Sequence, residues 1–253
     1  MKQACLALAL LFPLAAFAQA EPDYAVWNHL LAKYYDPARG MDYRALKAND
    51  AVTLETLRRA LGRVNAGTLT PKQQLAYWIN VYNINTAATI VEHYPVDSIR
   101  DISTDPLIRL NVFKKPRVPT PGGLISLDDV EHEKIRKPFR DARIHFAINC
   151  AARSCPPIRE EAFTGTRVDA QLDDQTRKFM AGPLAPRFRR NGKGNKLEIT
   201  TTKIMDWFGE DFGDRAAFIR RYVTPDRQRL IDGAREIDLD YADYDWALND
   251  WRR

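Results

Sequence analysis

Thr70-Pro71-Lys72-Gln73-Gln74-Leu75-Ala76-Tyr77-Trp78-Ile79-Asn80-Val81-Tyr82-Asn83 is the stretch whose reading decides the fold class. Thr70 is a good N-cap. Pro71 suits the first helical position, where an N–H would have no partner, and Gln73 completes a capping box. Leu75, Ile79, Tyr82, Thr86 and Ile90 then share one stripe of helical period, which predicts a long helix over 71–93.

The same reading extends to both sides. Trp27, Leu30, Leu31 and Tyr34 predict an amphipathic helix over 24–35, and Leu54, Leu57, Leu61 and Val64 another over 53–65. Beyond 93, Asn111–Phe113 and Arg117-Val118 read as short strands, and Gly122-Gly123 as a turn. Ser126, with Asp129 as its capping-box partner, opens a helix over 127–137, and Pro138 marks its end. Residues 143–149 alternate as a strand should, with Arg143, His145, Ala147 and Asn149 on one face and Ile144, Phe146 and Ile148 on the other. Helices are expected over 168–180, 202–212 and 215–223, a strand over 196–200, and an irregular aromatic cover over 241–251. Helices outnumber strands and do not alternate with them. The expected fold is therefore α+β, a predominantly helical single domain packed on a small antiparallel sheet.

The first 20 residues read differently from the rest. Lys2 precedes an apolar run from Ala4 to Phe17, which closes on Ala16-Phe17-Ala18 and Ala18-Gln19-Ala20, two overlapping small-x-small sites. That order predicts a cleavable signal peptide over 1–20 and a mature domain over 21–253 that is periplasmic or secreted. The run is shorter than the roughly 20 apolar residues of a spanning helix, and no later segment is apolar enough to cross a bilayer, so the mature chain is not expected to be membrane-spanning. The whole chain carries a net charge of +5. Without residues 1–20, 37 basic residues face 33 acidic ones. This mild basicity suits an anionic envelope component as partner and is no nucleic-acid signature. Arg187, Arg189, Arg190, Lys193 and Lys196 form the one basic cluster and read as a solvated loop.

Four polar groups interrupt the apolar pattern. Glu131-His132 sits on the helix before the 143–149 segment. His145 and Asn149 lie on that segment, and Cys150-Ala-Ala-Arg-Ser-Cys155-Pro-Pro follows it. Asn80 and Asn83 stand on one side of the 71–93 helix. Asp206-Trp207 with Glu210-Asp211-Phe212 reads as a packed aromatic stripe. In an oxidising compartment, two close cysteines default to a local disulfide, Cys150–Cys155. A thiol enzyme instead needs a thiolate, an imidazole to generate it and a group to orient the imidazole. Cys155 or Cys150 would be the nucleophile, His132 or His145 the base, and Glu131 or Asn149 the orienter. Cys155 reads as the exposed thiol and Cys150 as the buried one. His132, His145, Cys150 and Cys155 also number enough for tetrahedral zinc, but they lack the paired Cys-x-x-Cys spacing, so no metal is expected. Buried amides such as Asn80 and Asn83 usually satisfy backbone groups; the alternative is that, with Asn149, they bind a polar substrate. No Gly-x-Ser-x-Gly, phosphate loop or dinucleotide fingerprint is present, so no cofactor is expected.

Six blocks carry a resemblance: Tyr77–Asn83, Leu127–His132, Ile144–Cys150, Ser154–Pro157, Lys203–Trp207 with Asp211-Phe212, and Tyr244–Asn249. In this order and spacing, over roughly residues 70–250, they resemble domain of unknown function 547. The resemblance implies an exported bacterial protein with motif residues at Asn80, Asn83, Glu131, His132, His145, Cys150 and Cys155, and it assigns no activity. It also implies that a cysteine at position 155 is not general, since related plant proteins do not always carry one there. The residues point to a thiol-dependent hydrolase or transferase acting on amide or ester bonds. The alternative is a non-enzymatic ligand-binding or scaffold domain with a structural Cys150–Cys155 disulfide.

Overall fold

In the computed structural model, residues 20–102, 111–191 and 195–251 are described. The expected signal peptide, apart from Ala20, and Lys193 of the basic cluster lie outside the described residues. The helix expected over 71–93 is present as Pro71–His93, with both arms of the Thr70/Gln73 capping box formed. It is more central than one apolar stripe suggests, since 16 of its 23 residues are buried. Leu75, Ile79 and Ile90 fill the larger core with Trp27, Leu30, Tyr43, Leu54 and Phe163. Truncating such a residue to alanine typically costs about 2–5 kcal/mol.

Tyr43–Leu61 packs beside this helix, and Ala25–Tyr34 packs on Tyr43–Leu61. The Tyr43–Leu61 helix begins ten residues before the stripe that announced it. Asp42 caps it by accepting from the Ala45 N–H, and the helix kinks at Asp50, whose carboxylate accepts from the Tyr34 hydroxyl at 2.5 Å. The helix opened by Ser126 and Asp129 also forms, with its capping box, and runs over 127–139. Its middle, Val130–Arg136, is a wide π turn in which the Lys137 N–H reaches back five residues to the His132 carbonyl. Such turns are uncommon and often mark functional positions. Pro138 lies inside the last turn rather than beyond it.

The segment 143–149 is not a strand. Ala142–Phe146 is a 3₁₀ helix, capped by Asp141 through the Arg143 N–H, and the chain continues without regular structure to Asn149. The alternation has another cause. Ile144 and Ile148 face the larger core, while Ala142 and Phe146 face a second core built by Phe179, Leu197, Ile199, Met205 and Phe212. A segment threaded between two cores needs apolar residues on two sides whatever its backbone does. Asn111–Phe113 likewise belongs to a short 3₁₀ turn, Val112–Lys114, and not to a strand.

The second core lies under a three-stranded sheet. Arg187–Asn191 pairs antiparallel with Lys196–Thr201, which pairs parallel with Glu236–Tyr241. Most of the basic cluster is therefore strand rather than loop. Two further antiparallel pairs, Tyr35–Asp36 with Gly40–Met41 and Val118–Thr120 with Gly123–Ile125, complete the strands among the described residues. Val168–Ala181 forms as expected, and short helices at Ile204–Trp207, Gly209–Phe212, Arg215–Tyr222 and Pro225–Asp232 cover the sheet side. The fold is α+β and mainly helical. Among the described residues no helix is long and apolar enough to cross a membrane.

The tail crosses the 150–155 loop and fixes it. Arg153 and Ser154 donate to the Ala247 and Asp245 carbonyls, and the Asn249 N–H donates to Ala151. The tail then runs beside Gly40–Met41.

Candidate active site

The loop after Asn149 is held from three sides. The Asn83 amide donates to the Ala147 carbonyl at 2.9 Å and its oxygen accepts the Asn149 N–H at 2.9 Å. The Asn149 side chain donates to the Pro156 carbonyl at 2.7 Å and accepts the Ala151 N–H at 2.8 Å. Asn80 makes the same two-way clamp on Phe163, through its N–H and its carbonyl. The three amides thus hold backbone, and none of them lines the cleft described below. Ala151 has φ 61°, a left-handed conformation that costs a non-glycine residue about 1–3 kcal/mol. It turns the chain sharply after Cys150.

The cleft has a volume of about 270 Å³, and its walls include Glu131, His132, His145, Cys150 and Cys155. These five were expected at one site, and they meet there. The roles of the two thiols are exchanged relative to expectation. Cys155 is buried, 6% exposed, beneath the Cys150 N–H and the Ile148 carbonyl, whereas Cys150 is only half-buried. Their sulfurs are hydrogen-bonded at 2.9 Å as two free thiols. Cys150 Sγ also lies 3.1 Å from the Tyr244 hydroxyl. The hydrogen bond shared with Cys155 holds the Cys150 thiol below its ordinary value against burial, helped by the Tyr244 hydroxyl and the Ala152 N–H. Burial, reinforced by the hydrogen bond to Cys150, pushes Cys155 far up. Cys150 is therefore the sulfur that ionises first.

The imidazoles are distinguished by their partners. A guanidinium only donates, so the 2.7 Å bond from Arg136 makes His132 Nδ1 an acceptor, and its Nε2 faces Asp128 at 3.5 Å. Both nitrogens are engaged. His145, buried and stacked on Phe208, donates from Nε2 to the Asp211 carboxylate at 2.6 Å. That carboxylate assigns the proton to Nε2 and leaves the lone pair on Nδ1. Burial lowers the His145 pKa, against the pull of Asp211. Burial opposes ionisation of Asp211, yet His145 and a bidentate Arg136 outweigh it and hold the carboxyl well below the usual range. Glu131 goes the other way. Burial pushes its pKa up to about 7, only partly offset by Arg136.

Asp211 is thus the group that orients an imidazole. The sequence pattern had marked its segment as packing alone, and expected Glu131 or Asn149 in this role. Tyr244 and Tyr82 belong to the site as well, and composition gives no signal for either. Among the described residues no group of three or more histidine, cysteine or acidic side chains is arranged to hold a metal ion, the His132–His145–Cys150–Cys155 set included. A larger cavity of about 790 Å³ lies on the other side of the loop, with Asn149, Gln175 and Trp251 in its walls. Cys155 borders both cavities, but Cys150, Glu131 and His145 open only onto the smaller one.

Residues 66–180 match the family model described as Protein of unknown function, DUF547. The match bears out the resemblance over its first four blocks, from Tyr77 to Pro157. From beyond the matched segment, Tyr244 and Trp246 complete the cleft wall and Asp211 reaches His145 behind it. No curated protein and no solved structure gives a significant match to the chain.

Proposed function

We propose that this chain is an exported thiol-dependent hydrolase or transferase acting on amide or ester bonds, with Cys150 as its nucleophile. The observation that carries the reading is the environment of Cys150 Sγ: half-buried in a cleft wall, next to the Cys155 thiol and the Tyr244 hydroxyl. Glu131, with a pKa near neutrality, suits an acid–base role in the same cleft. His145, oriented by Asp211, supplies a neutral imidazole. The Cys150 thiolate attacks the acyl carbon and the C–N or C–O bond breaks. The leaving group takes a proton from Glu131, or from His145 once its neutral imidazole has accepted the proton of the Cys150 thiol. Water, or a second amine or alcohol, then attacks the thioester, gives up a proton to the same Glu131 or His145 that protonated the leaving group, and frees the thiolate.

Export rests on the 1–20 pattern. Cell fractionation with N-terminal sequencing tests it: a chain starting near Glu21 outside the cytoplasm is expected, and recovery only from the cytoplasm with Met1 intact overturns it.

The chemistry is tested by iodoacetamide labelling of the mature protein with peptide mass analysis. Cys150 is expected to alkylate first, and Cys150→Ala to abolish hydrolysis across a panel of esters, thioesters and amides. Alkylation of neither sulfur, before or after mild reduction, overturns it. The sulfur–sulfur approach of 2.9 Å favours a second reading. Thiol–disulfide exchange with an oxidised partner would pass two electrons and two protons to that partner and join Cys150 to Cys155, leaving a ligand-binding domain. Labelling only after reduction, with no hydrolysis in either state, selects that reading.

A further inference from the structure

Resting on the acyl-transfer reading of the same cleft, we propose that its substrates carry a positively charged amine or quaternary ammonium group beside the acyl group. The walls are aromatic and acidic. Trp207, Tyr244 and Trp246 form one side, with Trp207 and Trp246 stacked at 5.9 Å and Tyr244 4.8 Å from each. Tyr82, Phe113 and Phe208 add ring surface on the remaining walls. Trp207 is 46% exposed, high for so large a ring and directly at the cleft. Asp128 and Glu131 bring two carboxyl groups to the same space, and among the described residues no lysine or arginine lines it. That is unexpected in a chain of net charge +5.

Ring faces attract cations because their quadrupole is negative, and aromatic cages with nearby carboxylates are the usual receptors for ammonium groups. The fold itself already uses two of these rings this way. The Arg100 guanidinium lies 5.0 Å over Trp246, and that of Arg136 lies 4.7 Å over Phe208. A volume of about 270 Å³ admits a small head group and an acyl carbon but not a large ligand. An anionic substrate would meet two carboxyl groups and, among the described residues, no lining lysine or arginine, so the cleft selects against it as well as for its opposite.

Calorimetric titration of the full mature chain tests this with two probes of one shape, choline and its uncharged isostere 3,3-dimethylbutan-1-ol. Choline is expected to bind saturably and at least tenfold tighter than the isostere. Trp207→Ala, at an exposed position, and Asp128→Asn are each expected to weaken choline several-fold and leave the isostere unchanged. Equal binding of both probes, or no saturable choline binding, overturns the proposal. Repeating the titration on Cys150→Ala separates the two readings, because binding does not need the thiol. Choline binding with an unreactive Cys150 leaves this proposal standing and removes the enzyme; a reactive Cys150 without choline selectivity does the reverse.

Discussion

The Tyr244 hydroxyl stands 3.1 Å from Cys150 Sγ, so the far end of the chain touches the candidate nucleophile across 94 residues. Burial, with the nearby cysteine charges, pushes the Tyr244 pKa far up, so the phenol stays protonated and donates to a thiolate. Its removal leaves the thiolate with one charge-assisted hydrogen bond fewer, worth about 1.5–3 kcal/mol. Tyr244→Phe is expected to raise the Cys150 pKa, because the phenol's hydrogen bond lowers it. Iodoacetamide alkylation at pH 7 then slows about three- to tenfold, and the two proteins react equally fast at high pH. Cys155→Ser keeps a donor beside Cys150 and is expected to shift the same profile less. An alkylation profile unmoved by Tyr244→Phe removes the phenol from the site.

Asp211 binds His145 and Arg136 at once, with oxygens 2.6 Å from His145 Nε2 and 2.6 and 2.9 Å from the guanidinium. Asp211→Asn keeps the shape but presents an N–H to His145 or turns its oxygen to a weaker acceptor. The imidazole tautomer is then no longer fixed. Hydrolysis is expected to fall about 10²- to 10⁴-fold, with the far-ultraviolet circular dichroism unchanged. The fold is also linked to this carboxylate. Its pKa is depressed in the native state, so its stabilisation is present above about pH 4 and is lost as pH falls further. Acid unfolding of the variant should therefore begin at the same pH but fall less steeply than that of the parent. A parent-like turnover in Asp211→Asn would show that His145 is not the base.

The helix starts were legible because capping is local. Thr70 with Gln73 and Ser126 with Asp129 bring donor and acceptor together within three residues, and both boxes form. The thiols, Glu131 and the histidines were legible as a group because 131–155 is one short span that the fold keeps together. The orienting and donating partners were not. His145 meets Asp211 across 66 residues and Cys150 meets Tyr244 across 94, and no periodicity encodes such pairings. The backbone of 143–149 was misread because burial between two cores imposes the alternation that a strand would. The order of the thiols was misread for a similar reason. Which sulfur faces solvent depends on the left-handed turn at Ala151, and alanine does not announce such a turn.

Glu131 gives a stability prediction of opposite sign to Asp211. Its pKa is raised to about 7 by burial, whereas the unfolded carboxyl titrates near 4.3. Below that unfolded value both states hold the proton. Between it and about 7 only the native state does, so stability falls as pH rises through this window and stays reduced above it. Glu131→Gln mimics the protonated form. It is expected to raise the melting temperature at pH 8 by about 2–4 °C, the equivalent of ~1 kcal/mol after allowance for solvent reaching this half-buried side chain. At pH 4 the difference should vanish. A gain that is the same at both pH values would mean that packing, not ionisation, causes it.

The tail that delivers Tyr244 depends on a glycine far from the cleft. Gly40 has φ +95°, and a Cβ there would lie 2.0 Å from the Asn249 carbonyl oxygen, the same oxygen that accepts the Met41 N–H at 3.0 Å. A side chain is therefore excluded twice, by backbone conformation and by contact with a backbone atom that cannot swing away. Gly40→Ala forces Asn249 outward. Asn249 donates its N–H to Ala151, and Trp251 donates to Met41, so displacement pulls on the loop behind Cys150. The expected cost is about 2–4 kcal/mol, the sum of a strained left-handed residue and lost hydrogen bonds. The tail is also expected to become the first site of limited proteolysis, and Cys150 alkylation should slow toward the rate of Tyr244→Phe, because the phenol leaves with the tail. A Gly40→Ala protein that melts lower but alkylates at the parent rate would show that the tail stabilises the fold without tuning the thiol.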